Sequence, residues 1–202
     1  MDKISYALGM SLGQSLVGSG VKDLNFEEFT KGVEVIFKGE TPKISADEGN
    51  EILEKFFTKV KEEKDRQDKK VREDNLRKAV VYLKENKNNG VIETKSGLQY
   101  KNIELTEGDK KRPGPHSRVK CHYEGRLTDG TIFDSSYKRG APAVFSLDQV
   151  IPGWTEGLQL MGEGDKYEFT IPPALGYGEV GVPGHIPGNS VLIFTVELLE
   201  IL

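Results

Sequence analysis

Few residues in this 202-residue chain belong to the types that make or break covalent bonds, and their spacing argues against such chemistry. The single cysteine, Cys121, is followed directly by His122. Both lie in the alternating stretch Val119-Lys120-Cys121-His122-Tyr123, and neighbours on a strand point to opposite faces, so they do not form a nucleophile and its base. His116, His122 and His185 fall at intervals that match no metal-ligand spacing. The glycines between Gly176 and Gly188 are interleaved with prolines, which fits a shaped loop rather than a phosphate cradle. What remains is a set of rings, Tyr123, Phe133, Tyr177, Phe194 and the only tryptophan, Trp154, with one carboxylate, Asp134, beside them. By residue type alone, Phe133 and Phe194 read as strand packing and Trp154 as a helix-to-sheet anchor. Asp134 reads as a turn residue leading into Ser135 and Ser136, and Tyr177, between Gly176 and Gly178, as loop. No metal and no cofactor is implied.

The totals narrow the class. Lys and Arg number 28 against 32 Asp and Glu, a net charge of -4, which disfavours a nucleic-acid binder working by phosphate neutralisation. The apolar share of 36% and the charged share of 30% suit a soluble globular chain of one or two domains. No apolar run approaches the roughly 20 residues of a membrane helix, so no membrane partner is expected. One cysteine excludes an intrachain disulfide. The start, Met1-Asp2-Lys3-Ile4-Ser5-Tyr6, lacks the basic and apolar regions of a signal peptide. The expectation is a cytoplasmic protein, or a periplasmic one if the chain is a processed mature form.

The elements that must position those rings divide near residue 92, where helical signals give way to Gly, Pro and period-two patterns. Ile4, Leu8, Leu12 and Leu16 form one helical stripe from about Lys3 to Val17, closed by Ser19-Gly20. Gly9 and Gly13 lie beside the stripe, and glycine costs roughly 1 kcal/mol against alanine in a helix, so close approach of a second helix is one explanation for them. Asn25 reads as an N-cap with Glu28 completing a capping box, and Phe26, Phe29, Val33, Ile36 and Phe37 form the apolar face of a second helix. Lys38-Gly39 and Pro42 end it. Ser45, with Glu48 three residues on, opens a third helix that runs to about Lys87, roughly 60 Å at 1.5 Å per residue. Its charged centre, Lys61 to Lys70, predicts a solvated spacer held by pairs such as Glu62–Arg66. Apolar residues return at Val71, Leu76, Val80, Val81 and Leu83. Two short helices and half a long one enclose no core, so residues 1–44 are expected to pair with a second copy as a dimerisation region; the alternative is that these helices fold back onto the C-terminal domain. Residues 45–92 form the connecting helix.

Residues 93–202 predict an antiparallel sheet with one short helix opening at Pro152, and Asp129-Gly130 marks a hairpin turn. The chain here resembles the FK506-binding (FKBP-type) peptidyl-prolyl cis-trans isomerase family. The resemblance rests on His122-Tyr123-Glu124-Gly125, Asp129-Gly130-Thr131-Ile132-Phe133-Asp134-Ser135-Ser136, Val150-Ile151-Pro152-Gly153-Trp154, Ile171-Pro172-Pro173-Ala174-Leu175-Gly176-Tyr177-Gly178 and Ile186-Pro187-Gly188-Asn189-Ser190. These stretches occur in the family's order over about 90 residues. The N-terminal half looks like that of the bacterial macrophage infectivity potentiator type, by Gly9-Met10-Ser11-Leu12-Gly13 and Thr94-Lys95-Ser96-Gly97-Leu98-Gln99-Tyr100.

The resemblance implies an α+β chain: helices first, then a twisted antiparallel sheet wrapped around a short helix, with an apolar pocket between sheet and helix. It implies Trp154 as the pocket floor, Tyr123, Phe133, Val150, Ile151 and Phe194 as walls, and Ile186 in a loop above. Tyr177 would offer its hydroxyl to a substrate carbonyl, Asp134 would sit at the rim with Tyr123 as hydrogen-bond partner, and Ile151 would offer its backbone N–H. Two positions depart from the family's pattern. Ala143 stands where an aromatic wall residue is common, and Val182 where a histidine is usual; both are expected at the pocket edge. The implied activity is acceleration of proline-limited folding. The partners implied are unfolded or proline-containing polypeptides, a second copy of the chain, and macrolide inhibitors such as rapamycin. A chaperone-like hold on clients between the two copies is a further expectation, and a proline-segment binding module without turnover is the alternative.

Overall fold

The structure is a computed structural model that describes residues 1–108 and 110–202. It divides into two compact units, Met1–Gln67 and Asp68–Leu202. The boundary falls within the long helix.

Unit one holds α1 (Lys3–Gly18), α2 (Phe26–Lys38) and the first half of α3 (Ala46–Asn86). Each helix starts where a short polar side chain can accept from orphan backbone N–H groups. Asp2 accepts from Ile4 and Ser5, Asn25 from Glu27 and Glu28, and Ser45 Oγ from Glu48 N–H at 3.2 Å. The reciprocal half of the expected box at α2 is not made, because the Glu28 carboxylate pairs with Lys31 instead at 2.9 Å. Gly39 ends α2 in the left-handed conformation, φ 65°. Every residue of α1 and α2 is at least partly exposed. The charged centre of α3 is solvated throughout, as its composition predicts. The expected Glu62–Arg66 ion pair is not formed: Arg66 Nε donates to the Glu62 backbone carbonyl at 3.3 Å. An exposed ion pair in water gains too little to fix two long side chains.

Unit two is built on a seven-stranded antiparallel sheet of β1 (Ile92–Glu93), β2 (Gln99–Glu104), β3 (Arg118–Leu127), β4 (Ile132–Ser135), β5 (Ala143–Ser146), β6 (Lys166–Ile171) and β7 (Leu192–Ile201). The strand order is β1-β2-β6-β7-β3-β4, and β5 pairs with the other end of the β3 edge that β4 occupies. Register shifts on β3, at Lys120/Cys121 against β7 and at Gly125/Arg126 against β4, increase its local twist. Asp129-Gly130 turns β3 into β4, with Gly130 at φ 89°. The short helix α4 (Pro152–Leu158) begins with Pro at its first position, where a missing N–H costs nothing. It lies close on the sheet: a Cβ on Gly153 would stand 2.6 Å from Ile171, and one on Gly157 2.7 Å from Phe169. Leu98, Val119, Leu158, Phe169, Leu192 and Val196 form the centre of the core and are fully buried.

The second half of α3 is seated on this unit by a mostly polar face. Ala79 and Asn86 are buried, whereas the returning apolar residues Val71, Leu76, Val80 and Val81 remain exposed. Asn86 Nδ2 donates to Gln99 Oε1 at 2.9 Å, and Gln99 Nε2 donates to the Leu83 carbonyl at 2.8 Å. No helix among the described residues is long and apolar enough to cross a membrane.

Candidate functional site

Between α4 and the sheet lies a cavity of about 540 Å³. Its floor is Trp154, 3% exposed and carried by the first turn of α4. Three rings meet the indole edge to face: Tyr123 at 5.2 Å and 89°, Phe145 at 5.2 Å and 78°, Phe194 at 5.2 Å and 83°. Phe133 packs on Phe194 in the same way at 5.4 Å. Such contacts set the ring edges of one residue against the faces of the next and hold a rigid box. Gly125 makes room for it, since a Cβ there would stand 2.7 Å from both Phe133 and Phe194. The buried indole N–H has no hydrogen-bond acceptor among the described residues.

The walls come from separate elements: Tyr123 from β3, Phe133 and Asp134 from β4, Phe145 from β5, and Phe194 from β7. Val150 and Ile151 come from the approach to α4. Tyr177, Val182, His185 and Ile186 come from the loop between β6 and β7. Of the ten residues singled out from sequence, the structure brings nine to this cavity: Tyr123, Phe133, Asp134, Tyr177, Phe194, Val150, Ile151, Trp154 and Ile186. Ala143 is not among them. It pairs with Cys121 across β5–β3 and packs against the core. Phe145, two residues on and so on the same face of β5, supplies the ring instead.

Phe145, Gln149 and His185 line the cavity without having been singled out as wall residues, and Arg139 joins the rim. Strand alternation from Ala143 could have found Phe145. Nothing in the spacing marks Arg139, which lies in the turn after β4. There it donates to the Asp134 carboxylate, and its Nη2 donates to the Tyr123 hydroxyl at 2.7 Å. The Tyr123 hydroxyl itself donates to Asp134 Oδ2 at 2.5 Å.

These contacts fix the charges at the rim. Burial works to raise the Asp134 pKa, but hydrogen bonds from Tyr123 and Arg139 outweigh it, and the carboxyl is held below its ordinary value. Tyr123 is pushed up to about 12, by burial first and then by its bond to Asp134. Burial also raises Tyr177, with the Asp134 charge adding to it. At neutral pH the rim therefore carries one paired carboxylate and two neutral phenols. Cys121 lies outside the cavity lining, and burial pushes its thiol up to about 12, which leaves it inert. His122 stacks on Tyr137 at 4.7 Å and bonds Ser136. No group of three or more His, Cys, Asp or Glu among the described residues could hold a metal ion. The arrangement can bind a compact apolar group and present hydroxyls to a polar one beside it.

Comparisons with known proteins agree along the whole chain. A family model described as "FKBP-type peptidyl-prolyl cis-trans isomerase" matches residues 109–199. Another, "Domain amino terminal to FKBP-type peptidyl-prolyl isomerase", matches residues 1–101. The FKBP-type 22 kDa peptidyl-prolyl cis-trans isomerase of Escherichia coli is 41% identical over 199 residues, spanning 98% of this chain and 94% of that one. Outer membrane protein MIP of Legionella longbeachae is 38% identical, spanning 99% of this chain and 85% of that one. The crystal structure of FkpA from Escherichia coli superposes with a TM-score of 0.74 at 39% identity, covering 98% of this chain and 95% of that one.

Proposed function

The chain belongs to the FKBP-type peptidyl-prolyl cis-trans isomerases and is an enzyme of that class, and on this premise we propose that the aromatic cavity over Trp154 is where the prolyl bond turns. The barrier to turning an amide is about 18–20 kcal/mol and comes from lost resonance, so no nucleophile or cofactor is required. A twisted amide carries a less polar carbonyl than a planar one. An apolar box therefore favours the transition state over the ground state, and each 1.36 kcal/mol of that preference is about tenfold in rate. The observation that carries this reading is the five-ring box with its Trp154 floor buried and its rim of hydroxyls held neutral. In it, Trp154, Phe145 and Phe194 seat the prolyl ring while Phe133, Val150, Ile151 and Ile186 wall the neighbouring residue. Tyr177 donates to a substrate carbonyl, and the Tyr123–Asp134–Arg139 cluster holds the rim.

Macrolides such as rapamycin fit the same cavity as an apolar ring flanked by carbonyls. The chain works as a homodimer through unit one. Support comes from the exposed apolar faces of α1 and α2, including Ile4, Leu8, Ile36 and Phe37, which one copy alone leaves in water. Two pockets in one dimer would hold an unfolded client at two weak sites at once, a chaperone-like gain from effective concentration.

The test is refolding of a protein limited by proline isomerisation, a step of tens to hundreds of seconds unaided. Wild-type protein should accelerate it, rapamycin should abolish the acceleration, and Phe133→Ala should reduce it about tenfold, a loss of ~1.4 kcal/mol. Full activity in Phe133→Ala, or activity indifferent to rapamycin, would place catalysis elsewhere.

A further inference from the structure

The loop that overhangs the cavity, residues 176–190, is built as one stiff piece. Val182 and Ile186 exchange both backbone hydrogen bonds at 2.8 Å across its tip. Gly181 N–H donates to the Tyr177 carbonyl at 3.1 Å, and Asn189 N–H to the Gly178 carbonyl at 2.8 Å, so its base is closed as well. Tyr177, Val182, His185 and Ile186 reach the cavity from this piece. Such a loop stands or opens as one cooperative unit, so what holds its base decides both where those side chains stand and how often its hydrogen bonds open.

Its base is held by α3. Asn75 Nδ2 donates to the Gly188 carbonyl at 2.9 Å, and Asn189 Nδ2 donates back to the Arg72 carbonyl at 3.1 Å. The two carboxamides thus cross between helix and loop in opposite directions, which fixes both the separation and the rotation of the base. The contact is close: a Cβ on Gly188 would stand 1.9 Å from the Glu179 carbonyl and 2.8 Å from the Arg72 side chain. Asn189 sits at φ 57°, the one described non-glycine residue with positive φ. Glycine would take that conformation with less strain, so the asparagine side chain is what the position uses. Packing alone does not close this seat, since the same two asparagines border an open cleft of about 360 Å³.

We propose that Asn75 and Asn189 form a reciprocal latch through which α3 holds loop 176–190 over the cavity, making both positioning residues for the isomerisation. This rests on the cavity being the isomerase site. A loop held less firmly offers substrate a less well-formed cavity mouth in the planar and twisted forms alike, so a loosened latch is felt as weaker substrate capture, in KM before kcat.

The test uses the full chain, comparing wild type with Asn75→Ala, Asn189→Gly and Asn189→Asp. The glycine variant keeps the backbone conformation; the aspartate variant keeps the shape and removes the donor. Amide hydrogen exchange should quicken by roughly threefold to tenfold at Val182, Ile186 and Asn189 or its replacement, the range expected from one lost hydrogen bond. Phe169 and Val196 in the sheet should keep their wild-type exchange. KM for a prolyl tetrapeptide should rise by a similar factor, with kcat changed less. Three results would overturn the latch: unchanged loop exchange, exchange quickened equally in β6 and β7, or a loosened loop with unaltered kinetics. Phe133→Ala, measured beside these, separates the two readings. If it leaves isomerisation intact, the assignment of the cavity has failed, whatever the loop does.

Discussion

Two apolar hollows of similar size, one in each unit, are built in opposite ways. The cavity over Trp154 holds about 540 Å³, and the groove between α2 and the start of α3 about 600 Å³. In the first, the floor Trp154 and the walls Tyr123, Phe194 and Ile186 are already buried, ring edges meet ring faces, and a carboxylate paired to two donors marks the rim. In the second, the lining is Phe29, Val33, Ile36, Phe37, Ile44, Ile52 and Leu53, with Glu28 at the edge, and Ile36 and Phe37 are 69% and 87% exposed. A hollow whose walls are supported from behind can receive small ligands without moving. A hollow whose walls themselves face water is left unfinished by one copy. On the proposed reading the first is a finished site in one copy, and the second is half of the dimer interface.

The largest effect should come from breaking the second hollow. Ile36→Glu with Phe37→Glu places two charges where the proposed dimer excludes water, and an unpaired buried charge costs several kcal/mol. Association should weaken by at least a hundredfold, read as a monomer in sedimentation at micromolar protein. Isomerisation of a prolyl tetrapeptide should be unchanged, because the finished site lies in one copy, whereas acceleration of protein refolding should fall. A dimer that survives the two charges would show that the groove is not its interface.

The same contrast explains what the sequence made legible. Apolar periodicity located α1, α2 and both ends of α3 to within a residue or two, because caps such as Asn25 and Gly39 obey local rules. The aromatic box was legible only through motif register, since Phe133 and Phe194 by type are indistinguishable from core. Ala143 was misplaced because its neighbours in sequence say nothing about reach, and the ring two residues on took the position. Arg139 and the seat of α3 were not legible at all. That seat uses Asn75, Asn86 and Gln99, and long-range amide hydrogen bonds leave no period in a sequence.

The rim offers a second, smaller way to sharpen the comparison, through pH. Asp134 is held below its ordinary value, so the stability it contributes is complete above the usual carboxylate range, about 3.9. That contribution is lost as pH falls through its folded-state pKa. Tyr123 is raised to about 12, so its contribution is complete below the usual phenol value of about 10 and is lost as pH rises toward 12. His185 also lines the cavity and is replaced by Asn so that the rim alone is read. In that background, kcat/KM should be flat from about pH 5 to about pH 9. A slope within this window would mean that the Tyr123–Asp134–Arg139 cluster is not what sets the charge at the mouth.

The smallest effect separates a wall from a donor. Tyr177 is 40% exposed on the loop, and its hydroxyl makes no hydrogen bond within the described residues. Tyr177→Phe keeps the ring and removes only the group proposed to meet the substrate carbonyl. Stability should shift by no more than about 0.5 kcal/mol, as for other surface changes away from special features. Loss of one neutral hydrogen bond to substrate should lower kcat/KM about threefold, within the 0.5–1.5 kcal/mol typical of such bonds. If the hydroxyl acts mainly on the twisted amide, the loss falls on kcat; if it holds planar and twisted forms equally, it falls on KM. An unchanged kcat/KM would leave Tyr177 as wall alone, and the cavity would then work by apolar surroundings without a donor from the loop.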